Sequence, residues 1–284
     1  MCSDDRTRAT DVKRYTLGSL VLELVMITVG LIFLLPLYVL VNQSLKAPSD
    51  LSDPLAPVTK PTLVNYSDAW QEGDLGHALL TSALVTICSV LVLVIISALA
   101  AYPLARSTRR WSSITFYAFM IGLLLPFQLA LVPLYVTMRD LHLLGTPWSL
   151  VLFYSGHLAP FSIFLYSGFL RAQSIEYEEA AAVDGAGTWQ TFWRVVFPLL
   201  RPVTGTVIIL NVLNIWNDFF TPLLYLSGSP NTTVPVALYS FVGEFVSRWN
   251  LVFAGLVISI APILLIYFLM QRTIIKGFSS GLKG

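Results

Sequence analysis

SIEYEEAAAVDGAGTWQTFWRVVFPLLRP, residues Ser174–Pro202, is a polar, glycine-punctuated stretch set between two long apolar runs. It carries Glu176, Glu178, Glu179 and Asp184, with Arg171, Arg194 and Arg201 in or beside it. A connection of this length is functional or structureless, and helix-forming residues on both sides of Gly185 make it an ordered one. Ser174 can cap a helix N-terminus by accepting a backbone N–H. The three glutamates suit the positive end of the helix dipole, and Ala180, Ala181 and Ala182 are the strongest helix formers. Tyr177, Ala180, Ala181 and Asp184 share one face. Gly185, followed by Ala186 and Gly187, permits a turn that a Cβ would resist. Beyond it, Trp189, Phe192, Trp193 and Val196 form an i, i+3, i+4, i+7 apolar stripe, and Pro198 and Pro202 end the segment or open the next span. The pattern predicts a helix–turn–helix outside the bilayer. Small residues beside aromatic knobs suit a partner's groove; the same pattern also suits a helix lying on lipid or packed on its own bundle.

The rest of the chain is mostly membrane. Of 284 residues 56% are apolar and 12% charged, against about 25% charged in soluble domains. A bilayer core takes about 20 apolar residues, and six runs qualify: roughly Leu17–Val41, Ala78–Leu104, Ile114–Met138, Trp148–Leu170, Val203–Leu226 and Leu251–Met270. The expected fold is therefore all-α and polytopic. Residues 1–16 form an N-terminal tail, 17–271 a six-span domain containing the 174–202 loop, and 272–284 a C-terminal tail. Tyr15, Trp111 and Trp148 lie near span ends, as aromatic belts do. Pro36, Pro103, Pro126, Pro133, Pro160 and Pro262 read as kinks, since a bundle can re-satisfy the carbonyls they free. The first run is too long for a signal h-region and lacks a small-residue cleavage site.

Charge orients the frame. With six spans and both termini inside, thirteen Lys and Arg fall inside and four (Lys46, Lys60, Arg139, Arg248) outside, a positive-inside bias that places Ser174–Pro202 in the cytoplasm. The long outer loop, about Asn42 to His77, is acidic and proline-rich. A second outer loop, Ser227–Asn250, is expected to hold a short helix near Val236–Val246 that contacts a partner. Cys2 and Cys88 are too far apart in kind to pair, and His77, His142 and His157 are dispersed, so no metal spacing exists. His157 reads as a packed or hydrogen-bonded residue, Glu23 as an interfacial acid, and Thr81, Ser82, Thr86 and Ser89 as packing groups.

At the opening stretch the chain resembles the membrane subunits of ABC importers. Their cytoplasmic loop carries Glu-Ala-Ala, three residues, Gly, nine residues, an aliphatic, one residue, an apolar residue and Pro. That spacing is met by Glu179-Ala180-Ala181, Gly185, Val195, Phe197 and Pro198, with Val195 and Phe197 in place of the usual Ile and Leu. The flanking Glu176-Tyr177-Glu178 and Val183-Asp184-Gly185-Ala186, Pro133-Leu134-Tyr135, Leu143-Leu144-Gly145-Thr146, Trp216-Asn217-Asp218-Phe219 and the tail from Lys276 to Gly284 are similar to the carbohydrate-importer, maltose-type branch. The resemblance implies one permease half in the inner membrane of a prokaryote. Its implied partners are a second homologous permease, two ATPase subunits holding ATP and Mg, an extracytoplasmic sugar-binding protein, lipid and a carbohydrate cargo. It also implies ATPase-coupling roles for Glu178, Glu179, Ala180, Ala181, Asp184, Gly185 and Pro198. The chain has no G-x-x-x-x-G-K-[ST] loop, so no cofactor, enzymatic activity or nucleic-acid partner is expected of it.

The fifth run carries a polar stripe. Asn211, Asn214, Asp218, Thr221 and Tyr225 recur on one helical face, with Trp216 and Asn217 beside it. A carboxylate in a span faces a cavity or a partner, and amides beside an indole suit a sugar's hydroxyl edges and C–H faces. The stripe is thus a candidate substrate pathway or a set of interhelical hydrogen bonds. The alternative class, an ion-gradient-driven transporter or channel, needs paired intramembrane ionisable groups, and only Glu23 and Asp218 are available.

Overall fold

The computed structural model describes residues 17–242 and 248–281, with side chains up to residue 265 and at 268. The described residues form helices and connections, with no strand among them. Helix α1 (Leu17–Ser44) is apolar on every side, and its only buried side chains are the polar Asn42, Gln43 and Ser44 at its end. A helix that turns apolar groups outward all round suits hydrocarbon. In the segment expected to be an outer loop, a 3₁₀ turn (Pro48–Asp50) precedes α2 (Val64–Glu72). Helix α3 (Leu75–Arg106) follows, 32 residues and so about 48 Å long. Helices α1 and α3 are each long and apolar enough to cross a bilayer alone.

The later runs depart from straight spans. Helix α4 (Arg110–Leu124) meets α5 (Leu131–Asp140) at 93° across a 3₁₀ turn at Phe127–Ala130. The expected span Ile114–Met138 is therefore broken rather than kinked. A residue before proline is pushed out of the helical region, and Leu125, ahead of Pro126, is extended at ψ 126°. Helices α6 (Pro147–His157) and α7 (Ala159–Ala172) bend by only 43°, because Pro160 sits in the first turn of α7, where its missing N–H costs nothing. Then come α8 (Glu176–Val183), α9 (Thr188–Thr191), a π-helical turn (Phe192–Val196) and α10 (Phe197–Leu199). The fifth run is also split: α11 (Arg201–Asn217) ends at an extended Asp218, and α12 (Phe220–Tyr225) starts anew. Helix α13 (Val234–Tyr239) lies earlier than the expected Val236–Val246, with Pro235 in its first turn; residues 243–247 lie outside the described residues. Helix α14 (Trp249–Gly281) continues past the expected span end at Met270.

Helices α3, α6, α7 and α11 share the main core, in which Leu93, Leu150, Tyr166, Leu170, Phe192, Leu200 and Val207 are fully buried. Small residues on α3, among them Ser89, Ser97, Ala98 and Ala101, are buried, and such residues let helices approach closely in a membrane. A second core joins α2, the start of α3, α13 and α14 through Ala69, Leu75, Ala78, Val234 and Leu251. Gly255 of α14 lies against Leu238 of α13 so closely that a Cβ there would collide with it.

A polar network closes this end. Asn65 donates to the carbonyls of Ser44 and Lys46 at 2.8 Å each and accepts from Asn250 at 2.8 Å. Ser44 and Tyr66 share a hydroxyl hydrogen bond of 2.7 Å. Arg248 grips Glu72 with both terminal guanidinium nitrogens, Nη1 and Nη2. Its hydrogen bond holds the Glu72 carboxyl below the usual carboxylate range, and Glu72 in turn raises Arg248.

Candidate functional site

The 174–202 segment is built from local rules. The Ser174 hydroxyl accepts the Glu176 N–H at 3.3 Å. Helix α8 ends with the Ala186 N–H bonded to the Ala181 carbonyl at 2.9 Å and the Gly185 N–H to Ala182 at 3.0 Å, the paired bonds of a Schellman termination. That ending needs a positive φ, and Gly185 supplies it at +81°. After α9 the π turn adds a residue to the helical repeat. Phe192 and Val196 are buried, Trp193 is half-buried, and Trp189 stays 67% exposed. The Phe192 ring lies 5.5 Å from Tyr102 of α3. The aromatic stripe thus fastens the segment to its own bundle and leaves one indole outside.

The seven loop residues singled out from the sequence divide by direction. Glu179, Ala180, Asp184 and Gly185 are exposed, together with Tyr177 and Val183. Ala181 is buried, and Pro198 is half-buried in α10. Glu178 turns inward. Its Oε1 accepts from Arg106 Nε at 2.8 Å and its Oε2 from the Tyr102 hydroxyl at 3.0 Å.

The polar stripe is not one continuous face, because the helix stops at Asp218. Asn214, Asn217, Asp218 and Thr221 line a cleft of about 350 Å³ together with Phe127, Phe153, Tyr154, His157, Leu158 and Leu213. Asp218 is fixed twice. Its Oδ2 accepts the Tyr154 hydroxyl at 3.0 Å, and its Oδ1 accepts the N–H groups of Phe220 and Thr221 at 3.0 and 3.4 Å, which caps α12. The His157 ring stacks on Phe153 with centroids 5.3 Å apart. Amides, a carboxylate and aromatic faces converging on one cleft can hold a polyhydroxylated ligand by hydrogen bonds and ring stacking. An apolar cavity of about 660 Å³ adjoins it and shares Phe127, Phe153 and His157.

Three stripe residues lie elsewhere. Asn211 is buried and donates to Ser162 of α7 at 3.1 Å and to Val207 at 2.8 Å, an interhelical tie. Trp216 faces another, apolar cavity beside Trp70 and Pro262. Tyr225 is buried with its ring near those of Phe153 and Tyr135. Conversely, Phe127 and Tyr154 of the cleft, and Arg106 and Tyr102 at the loop, come from distant segments. The one local signal for the α6 contribution is the Tyr154/His157 pair, three apart on an apolar helix. No cluster of metal ligands occurs among the described residues.

Comparison with known proteins places the chain. Residues 93–280 match the family model described as "Binding-protein-dependent transport system inner membrane component". A probable starch degradation products transport system permease protein of Thermoanaerobacterium thermosulfurigenes is 32% identical, over 90% of this chain and 93% of the relative. A melibiose/raffinose/stachyose import permease protein of Bacillus subtilis is 34% identical, over 87% and 90%. A multiple sugar-binding transport system permease protein of Streptococcus mutans is 34% identical, over 90% and 94%. The fold matches a chain of a bacterial ABC transporter involved in import of the acidic polysaccharide alginate, with a TM-score of 0.77, 22% identity, and 91% and 98% of the two chains covered. The chain belongs to the family of binding-protein-dependent transport system inner membrane components, within the group of sugar ABC transporter permeases.

Proposed function

We propose that this chain is one half of the membrane pathway of an ATP-driven, binding-protein-dependent carbohydrate importer, with six spans and both termini in the cytoplasm. The observation that carries the reading is the 174–202 segment. Its motif spacing is intact, and Glu179, Ala180, Asp184 and Gly185 stand exposed on a capped, ordered helix. This surface docks an ATPase subunit that holds ATP and Mg. Closure of two such subunits draws the loops of this chain and a second permease together and opens the pathway outward. An extracytoplasmic binding protein delivers the sugar, and the cleft at Asn214, Asn217, Asp218 and Thr221 forms this chain's share of the path. The relatives' names, which print starch degradation products and melibiose, raffinose and stachyose, favour an oligosaccharide as cargo. An ion-gradient mechanism draws no support from Asp218, which is committed to Tyr154 and to the α12 cap.

The test is reconstitution with the partner subunits in proteoliposomes, with uptake of radiolabelled maltotriose and raffinose. Joint replacement Glu179→Lys and Gly185→Trp is expected to abolish both capture of the ATPase subunits and uptake. Retention of both activities in that variant rules the docking role out.

A further inference from the structure

Glu178 and Glu179 are adjacent in sequence, and the structure gives them opposite surroundings. Glu179 is exposed. The Glu178 side chain is only 11% exposed and its partner Arg106 16%. We infer that Glu178 is not a surface for the ATPase but a positioning residue, a latch that fastens the coupling loop to α3 and makes α3 the rod carrying loop movement across the bundle. The inference rests on the ATPase-docking reading of the segment.

Helix α8 has little other hold on the bundle, since Ala181 is its one buried side chain. Both carboxylate oxygens of Glu178 are engaged, by donors one helical turn apart on α3, Tyr102 and Arg106. The Arg106 guanidinium also donates to the Gln173 carbonyl at 3.2 Å, so the ends of α3 and α7 and the start of α8 meet at one point. Charge-assisted bonds of this kind are the strong ones. A nearly buried pair that loses one partner strands the other charge away from water, so it stays made while the loop moves. From Arg106, α3 runs unbroken to Leu75. Near its far end Ser82 accepts the N–H of Val234, the first residue of α13, at 2.9 Å. A pull on α8 thus reaches α13 through one latch, one helix and one buried hydrogen bond.

The experiment uses the full chain in nanodiscs, alone and with its partner subunits. Chymotrypsin cleavage after the exposed Trp189 reports loop order without any partner. Glu178→Ala is expected to speed it about tenfold, as local opening becomes easier, and the charge swap R106E/E178R to restore it. In the assembled complex, E178A keeps its ATPase subunits but loses about tenfold or more in sugar taken up per ATP hydrolysed, the scale of a typical coupling energy. The swap recovers most of that loss, whereas Glu179→Lys loses the subunits with loop order unchanged. Unchanged cleavage in E178A, or loss of the ATPase subunits that the swap does not repair, overturns the latch. If cleavage follows the pair but the wild-type chain captures no ATPase subunit, the latch stands and the docking reading falls.

Discussion

Asp218 shows what a single residue was able to announce in the sequence and what it was not. A carboxylate in an apolar run is anomalous by itself, and Asp218 lines a cleft. Its partner Tyr154, 64 residues earlier, was signalled only by its spacing of three from His157, and the capping of α12 by nothing local. Asp218→Asn keeps a capping oxygen and a hydrogen bond to Tyr154, so thermal unfolding in detergent should scarcely change. Asp218→Ala strands the Tyr154 hydroxyl and the α12 N–H groups, at a cost of about 1–3 kcal/mol, and the midpoint should fall by several degrees. Equal midpoints for the two variants would remove Asp218 from its structural role. Gly185 is the complementary case, because its turn was legible directly from the residue type. A Cβ there meets nothing within 4 Å, so Gly185→Ala costs only the left-handed backbone, about 1–2 kcal/mol. Any larger loss, measured as ATPase-subunit capture, belongs to the partner's surface.

For the helices, hydrophobic length located every long apolar run, whereas breaks depended on features that a periodicity reading weighs poorly. Pro126 interrupts where Pro36, Pro103 and Pro262 lie inside continuous helices. At the break the residue ahead of the proline, Leu125, is extended. Helix α2 was missed because its nine residues, VNYSDAWQE, carry too short and polar a pattern to stand out from a loop. The packing of α13 on α14 depends on the absence of a side chain at Gly255. Gly255→Leu should overpack that contact by about 1–3 kcal/mol, seen as faster hydrogen exchange across α13 with the α3–α7 core unaffected. The Glu72–Arg248 clasp has a defined acid limit. Because the Arg248 hydrogen bond holds the folded carboxyl below the ordinary glutamate pKa, its contribution is present above that ordinary value and fades as pH falls through the lowered one. Exchange protection in α2 should therefore weaken only below about pH 4.5 and lose this dependence in Glu72→Gln. The effect should shrink in high salt, since both partners are solvent-exposed.

At the level of the whole molecule, composition pointed to a helical membrane protein, and the loop's motif spacing together with the apolar runs pointed to the family that the comparisons show. Neither could show which chain segments meet, because the cleft joins the α4–α5 break, α6, α11 and α12 across some ninety residues. Orientation can be read out by single cysteines in a chain lacking Cys2 and Cys88. Ser174→Cys should react with an impermeant maleimide only in inside-out vesicles, and Ser227→Cys only in right-side-out ones. The opposite pattern would invert the frame.

The polar network at the end of α1 carries a consequence for how the protein is made. Asn65 meets Asn250, Glu72 meets Arg248, and α1 and α2 both pack on α14. These contacts join the earliest of the described helices with the latest. Contacts this distant along the chain close slowly, so α1 must wait in the bilayer without them until nearly all of the chain has been synthesised. Its surface, apolar apart from a few residues such as Glu23, lets it do so, while the Asn65 side-chain oxygen stays without its Asn250 partner until α14 arrives. The final step of biogenesis is then a drying of that end, and a nascent chain stalled before Trp249 should keep Asn65 open to water-borne probes.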